Sequence, residues 1–551
     1  MGETSYAPGS DDLDLGLGDT LFESLQRAAA SVEPGRRALV GIRDAAEWVE
    51  LDYAALVSTV VDASSYLAGL GLGAGDVLCV QLPNWTEAVV YTYAAARLGA
   101  VVCPITTIYR ERELAFILER TECKVLVVPA RYRRFDYASM ASRLRDRLPL
   151  LRHVIVVGDS ERAAGTLPSS EVLAGSRDTV PAAAVDPDAP AVLAFTSGTT
   201  GESKGVVHSH ASMHAAIDDL VSHAEYGAGL TSLVISPFGH LTGFTWGILM
   251  PLRGAGDVVL LETWDAERAL DLVERYDVSF AMGATPFLSD LLDAAASRPE
   301  PVFPGIFVCG GAPIPPGLVQ RAVREHRSRV VAVWGMSEYP VGTATTVSDD
   351  PGLASSSDGR PIRRAKVLVV DPSGTRAATG EEGDLLIRGP GLFRGYYKRP
   401  DLDAESLTSE GFLRTGDRAR VLDDQGNIRI CGRTKDIIIR GGENIPVVEI
   451  ENLLLTHPAI REVALVPVPH ERLGETACAC IVPSPGSEVP SVAELGTFLG
   501  EHGVATQFFP EAVRLREELP RTPSGKIQKF VLRDQVLGHT DDAGRDPATR
   551  L

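Results

Sequence analysis

Short β-branched runs alternate with longer Ala/Leu/Arg-rich stretches through most of this chain. VLCVQL precedes EAVVYTYAAARLGA, KVLVVP precedes MASRLRDRL, and, after HVIVVG, VVLL precedes AERALDLVERY. Brief apolar runs read as buried strands, and the apolar period of the longer stretches reads as amphipathic helix. Repetition of βα units predicts an α/β fold built on doubly wound, mainly parallel sheets. At 551 residues the chain exceeds what one hydrophobic core supports, so at least two domains are expected.

Two stretches break the alternation. Between 366 and 431, KVLVVD, DLLIRG and NIRICG are separated by Asp-Pro-Ser-Gly and Asp-Asp-Gln-Gly turns, the pattern of a compact antiparallel β subdomain. After Gly432, DIIIRGGENIPVVEIENLLLTH, AIREVALVPVP and ACACIVP suggest a small α+β unit. The division predicted is therefore 1–432 and 433–551, with the polar end GHTDDAGRDPATRL frayed.

Composition narrows the partners. The formal charge is -20 and no Lys/Arg block is present, so nucleic acid is not an expected partner. The seven cysteines are scattered without a C-x-x-C, which points to a reducing cytoplasm rather than to a disulfide framework or a zinc ribbon. The N-terminus lacks the basic and apolar regions of an export signal. SLVISPFGHLTGFTWGILMPL, residues 232–252, is long and uncharged enough to span a bilayer, but its Pro and Gly residues favour a buried segment that feeds a pocket, and no membrane span is expected.

Five motifs carry the chemistry. FTSGTTGESKG follows the strand-like PAVLAF; Thr196, Ser197, Gly198, Thr199, Thr200 and Gly201 offer hydroxyls and bare backbone to an anion, and Lys204 adds a charge. Alone this composition favours a plain turn, and the Gly-Lys-Ser/Thr ending of a Walker loop is missing. VCGGAPIPPGL and VVAVWGMSE are β runs ending in Gly, where doubly wound sheets place ligands. Trp334 there can stack on a purine, and Glu338 can hold a magnesium ion among phosphates. In FLRTGDRAR, Asp417 can accept from ribose hydroxyls. CGRTKDIIIRGGENIP spans the predicted boundary, and LPRTPSGKIQKF presents Lys526 after Ser-Gly. The histidines of HSHASMH, His208, His210 and His214, lack the carboxylate or Cys partners of a zinc site.

In this order and at these spacings the five motifs resemble the adenylate-forming superfamily of acyl-CoA synthetases, firefly luciferase and peptide-synthetase adenylation domains. RGGENIPVVEIE and LPRTPSGKIQKF look closest to medium-chain fatty acid and cyclohexanecarboxylate CoA ligases. The resemblance implies ATP, Mg2+ and CoA as reactants and a small-molecule carboxylic acid as substrate, first adenylated and then passed to the CoA thiol. It implies that residues 196–201 and Lys204 hold the β and γ phosphates, that Glu338 is the metal ligand, and that Ser337 meets the α-phosphate. Gly311, Ala312, Pro313, Trp334, Gly335 and Met336 would enclose the adenine, and Asp417 and Arg433 the ribose. Lys526 would bridge the carboxylate and the α-phosphate. Lys435 would be the hinge of a mobile C-terminal domain, and Gly441 and Gly442 would line the pantetheine channel. His240 would gate the acyl pocket, whose walls would be Leu241, Thr242, Gly243, Phe244, Gly310, Val333 and Val341.

The motif departs from the family at Ser203 for Pro, Trp334 for Tyr and Ser337 for Thr. Close relatives of the same resemblance pass the adenylate to a carrier protein or an amine, or adenylate nitrite for an arylamine. A monomer or homodimer is expected.

Overall fold

The computed structural model describes residues 18–43, 47–158, 165–174, 179–196, 203–311, 314–433, 438–440, 443–470, 473–502, 504, 506–522 and 525–538. Among the described residues two large mixed sheets organise the N-terminal part, one of nine strands and one of eight. In the eight-stranded sheet Val77–Val80, Val101–Pro104, Val125–Pro129 and His153–Val157 run parallel, as the βα alternation predicts. The nine-stranded sheet has a parallel centre that includes Thr231–Val234, Phe280–Gly283, Ile306–Gly310 and Arg329–Met336, with antiparallel strands at both edges.

EAVVYTYAAARLGA becomes the helix Thr86–Arg97, in which every residue is buried. It contacts Arg37–Arg43 of one sheet and Val77–Val80 and Val101–Pro104 of the other, so it lies between the two sheets. A helix covered on all sides has no polar face to keep, which explains its Ala-rich and weakly amphipathic sequence. Arg97 is tolerated there because its guanidinium donates to Ser64 Oγ and to the Val180 carbonyl.

Residues 366–431 form the expected antiparallel sheet, in which Lys366–Val370, Glu382–Arg388, Leu413–Val421 and Ile428–Arg433 pair in sequence order. From Ile438 onward the chain is an α+β unit. The long hairpin of Ile460–His470 and Gly474–Pro483 packs against the helices Val447–Leu454, Val492–Glu501 and Lys529–Val536, around Ile450, Leu454, Leu465, Ile481, Leu495 and Leu532. Lys529 Nζ lies 2.6 Å from Glu451 Oε1, pinning the last helix beside the helix that opens the unit.

The uncharged stretch 232–252 is buried, as expected, but its helical portion was not foreseen. Thr242–Leu249 is a π-helix that continues into Met250–Arg253. Wide turns of this kind are rare and cluster at functional sites. Among the described residues no helix is long and apolar enough to cross a membrane.

Candidate functional site

The phosphate-loop candidate sits in a β-hairpin. Pro190–Thr196 and Lys204–Ser209 pair antiparallel, Thr196 directly opposite Lys204, with residues 197–203 between them. Ser197, Gly198, Thr199, Thr200 and Gly201 lie outside the described residues. The helix His210–Ala224 starts only after the second strand. No helix N-terminus follows the loop directly, so the field of a Walker-type helix is not supplied at its end. This is the structural counterpart of the missing Walker ending.

Beside the hairpin stands the turn WGMSE. Trp334 and Gly335 end the strand Arg329–Met336, and Glu338 is buried. The Trp334 ring has room because Gly342, on the paired strand, has no side chain; a Cβ there would come within 2.7 Å of the indole. Trp334 Nε1 donates to Asp417 Oδ2 at 3.0 Å, so two motifs more than eighty residues apart meet in one contact. Asp417 is the direct cross-strand partner of Arg433, whose backbone therefore lies next to the carboxylate-bearing strand position. Loss of the family tyrosine hydroxyl at Trp334 is offset by an indole N–H that orients Asp417.

Glu338 Oε1 accepts a 2.7 Å hydrogen bond from the hydroxyl of Tyr396, and Lys204 Nζ lies 5.1 Å from the centre of the same tyrosine ring. The Ser337 carbonyl accepts from His208 Nε2 at 2.7 Å, and Ser212 Oγ is 3.2 Å from His208 Nδ1. Burial pushes the His208 imidazole down to about 4, so at neutral pH it is uncharged, with its proton on the nitrogen that faces the carbonyl. His210 Nδ1 accepts from the Leu21 backbone N–H.

His240 is half-buried. Burial first, and the nearby Lys526 ammonium second, push it down to about 4. Thr242 N–H donates to its Nδ1 at 3.2 Å, which leaves the ring proton on Nε2. A neutral Nε2–H is a donor that can orient a bound group; it is not a base. The influence of Lys526 on His240 brings together residues almost three hundred positions apart. A Cβ built on Gly525 would contact the Cβ of Ala284 at 3.1 Å, which places the lysine turn against the start of the helix Thr285–Ala295.

Two supports were invisible as motifs. Asn84 Nδ2 donates to the carbonyls of Val234, Ser236 and Leu261, and its Oδ1 accepts from Phe238 N–H at 2.7 Å. One buried amide thus holds the chain that leads to His240. Arg521 Nη1 donates to the Gly525 carbonyl at 2.7 Å while Nη2 reaches Glu462 Oε2 at 2.5 Å, fixing the turn that presents the exposed Lys526. Asn84 follows a strand at the edge where ligands gather, and Arg521 lies within the lysine motif; those positions were the available signals.

Among the wall candidates, Leu241, Thr242 and Gly243 stand at the π-helix start, and Gly310 and Val333 face each other across paired strands. Phe244 and Val341 are fully buried, and Phe244 packs against Phe238. Gly311 has a φ of +80°, exposed Gly335 and half-buried Met336 follow Trp334, while Ala312, Pro313, Lys435, Gly441 and Gly442 lie outside the described residues.

The solved structures agree with this architecture. ATP-bound MatB from Rhodopseudomonas palustris matches with a TM-score of 0.82 at 25% identity, covering 94% of this chain and 99% of that one. An amide bond synthetase from Marinactinospora thermotolerans matches at 0.80 and 27% identity, with 94% and 99% covered. In sequence, the medium-chain fatty-acid–CoA ligase of Escherichia coli strain K12 is 32% identical over 94% of this chain and 91% of its own length. The 2,3-dihydroxybenzoate-AMP ligase of Bacillus subtilis strain 168 is 33% identical over 85% of each. The AMP-binding enzyme family matches residues 25–397 and the AMP-binding enzyme C-terminal domain matches residues 449–526. With most of its length matched, this chain belongs to the AMP-binding enzyme family of adenylate-forming enzymes.

Proposed function

We propose that this protein is an AMP-forming acid–thiol ligase, which adenylates a small carboxylic acid with ATP and transfers the acyl group to CoA. The observation that supports it most is the placement of Lys526: the turn that carries it seats Gly525 against Ala284 of the large part, where the lysine charge acts on His240. A lysine in that position can meet a carboxylate and an α-phosphate together.

In the first step a carboxylate oxygen attacks the α-phosphorus; the new P–O bond forms as the bond to the bridging oxygen breaks, and pyrophosphate leaves. Both reactants are anions, so the work of the protein is positioning and charge neutralisation. Lys204 and the loop 196–201 hold the departing phosphates, Ser337 lies by the α-phosphate, and Asp417, oriented by Trp334 and flanked by Arg433, takes the ribose hydroxyls. Lys526 stabilises the charge that develops between acid and phosphate. Gly311, Ala312, Pro313, Gly335 and Met336 complete the adenine site.

Mg2+ suits this donor set. Among the described residues no three His, Cys, Asp or Glu are grouped to hold a metal ion. A single buried carboxylate, Glu338, fits an ion that takes one protein ligand and fills its shell from phosphates and water. Bound there, Mg2+ would neutralise phosphate charge.

In the second step the CoA sulfur attacks the acyl carbon; the C–S bond forms, the bond to the phosphate oxygen breaks, AMP leaves and the thiol proton goes to solvent. Lys526 blocks that approach, so the part from 433 to 551 turns about Lys435, and Gly441 and Gly442 enter the thiol path. His240 separates the acyl site from that path.

The test is pyrophosphate release from a panel of acids with and without CoA. Turnover requiring both a carboxylic acid and CoA is expected. The relatives named AMP ligases, and the amide bond synthetase among the structural neighbours, make a carrier-protein thiol or an amine the alternative acceptor. Turnover that ignores CoA and needs such an acceptor, or that needs nitrite and an arylamine, overturns the CoA assignment.

A further inference from the structure

We propose that Tyr396 is a positioning residue that ties the cation of the phosphate hairpin to the carboxylate of the WGMSE turn, so that ATP and its cation meet one preformed unit. This rests on the adenylation reading above and adds to it a residue outside all five motifs. The phenol donates to Glu338 Oε1 at 2.7 Å, and the face of its ring carries Lys204 Nζ at 5.1 Å. A hydroxyl on one oxygen of a carboxylate fixes the direction in which the other is presented. A ring face beside an ammonium keeps that charge near the hairpin without neutralising it, as a carboxylate partner would.

The backbone explains why Tyr396 can do this. Its two-residue strand, Gly395–Tyr396, closes the edge of the eight-stranded sheet by pairing with the second hairpin strand, Tyr396 opposite Val206 and Gly395 opposite Val207. Tyr396 N–H donates to Asp403 Oδ1 at 2.7 Å, and Gly395, with a φ of +127°, lies so near that carboxylate that a Cβ would stand 2.8 Å from it. Phe393 N–H donates to the Glu338 carbonyl at 2.9 Å, and the Phe393 ring packs edge-on against Tyr396. Both ends of the link are thus anchored to backbone, and only 7% of Tyr396 is exposed. A tyrosine held only for packing would not need its hydroxyl on the buried carboxylate.

The test is a double-mutant cycle on ATP binding, measured by calorimetry on the full chain without any acid, so that no turnover intervenes. Tyr396→Phe keeps the ring and removes one hydrogen bond; its melting temperature reports that it folds. In Mg2+ it should weaken ATP binding about 10- to 100-fold, the range for losing a partner of a metal-holding group, and in EDTA the loss should be below about threefold. In a Glu338→Gln background the same change should have less than about a threefold effect, because the carboxylate it positions is gone. Wild-type affinity in Tyr396→Phe, an equal loss with and without Mg2+, or full additivity with Glu338→Gln overturns the proposal. A wild-type protein that binds ATP but releases no pyrophosphate with any acid would refute the ligase reading instead, and the cycle would still decide the role of Tyr396.

Discussion

The two lysine-bearing loops of this protein are held in opposite ways. Lys204 closes a hairpin whose strands are laddered into the eight-stranded sheet, and its neighbourhood is shared with Tyr396, Glu338 and His208. Lys526 rides on a turn fixed within its own unit: Thr522 N–H donates to the Lys526 carbonyl, Lys526 N–H donates to Thr522 Oγ1, and Arg521 ties Gly525 to Glu462. Its contact with the large part runs through the small Gly525 against Ala284. On the proposed reading, the hairpin that would hold pyrophosphate has its strands built into the sheet. The lysine that would, on that reading, arrive and withdraw rides instead on the C-terminal unit.

The sharpest way to test that contrast is Lys526→Ala. Loss of a preorganised charge at the reacting atoms should lower adenylation about 100- to 1,000-fold, followed as acid-dependent ATP–pyrophosphate exchange. Thioester formation from supplied acyl-adenylate should largely survive, and a variant impaired equally in both would erase the distinction between the loops. Lys435→Pro should do the reverse, leaving exchange within about threefold of wild type while thioester formation falls at least tenfold, if rotation of the small unit is needed. Normal CoA turnover by that variant counts against rotation.

Arg521→Gln loosens the turn without touching its lysine. Adenylation should fall about tenfold, the scale of one charge-assisted hydrogen bond, with ATP affinity unchanged. A change in ATP affinity would mean that Arg521 acts on the hairpin side of the comparison. Asn84→Ala leaves Phe238 N–H without its buried acceptor and should lower stability in urea by about 1–3 kcal/mol.

The smallest expected effect concerns pH. His208, His210 and His240 are each pushed down to about 4, mainly by burial, from an ordinary 6.5. Between those values the unfolded chain binds more protons than the folded one, so stability rises with pH across that window and is lost as pH falls from about 6.5 towards 4. Each histidine contributes at most on the order of 1 kcal/mol per pH unit. His208→Gln should flatten the urea midpoint between pH 7 and pH 5, and an unchanged slope would show that burial there is relieved by local opening.

Much of the architecture was readable because its signal is local. Strand runs such as KVLVVP and the turns of 366–431 state their own conformation, and EAVVYTYAAARLGA its helix, though the burial of Thr86–Arg97 on every face came only with the packing of the two sheets. The π-helix was not readable: TGFTWGIL is as compatible with an α-helix, and the wider turn depends on how Gly243 and Gly247 approach Ser236 and Val234. Phe244 and Val341 neighbour motif residues in sequence, but which way each side chain points is settled by packing across the sheets.

The sequence by itself determined the family, the α/β class and the five motifs, because order and spacing along the chain are one-dimensional information. Only the tertiary structure decided which residues outside those motifs serve them. Tyr396 reaches Glu338 and Lys204 through the pairing of a two-residue edge strand, and Asn84 reaches the approach to His240 from more than a hundred residues away. Such links are made by sheet edges and buried amides whose partners are chosen by geometry, and no periodicity or local propensity records that choice.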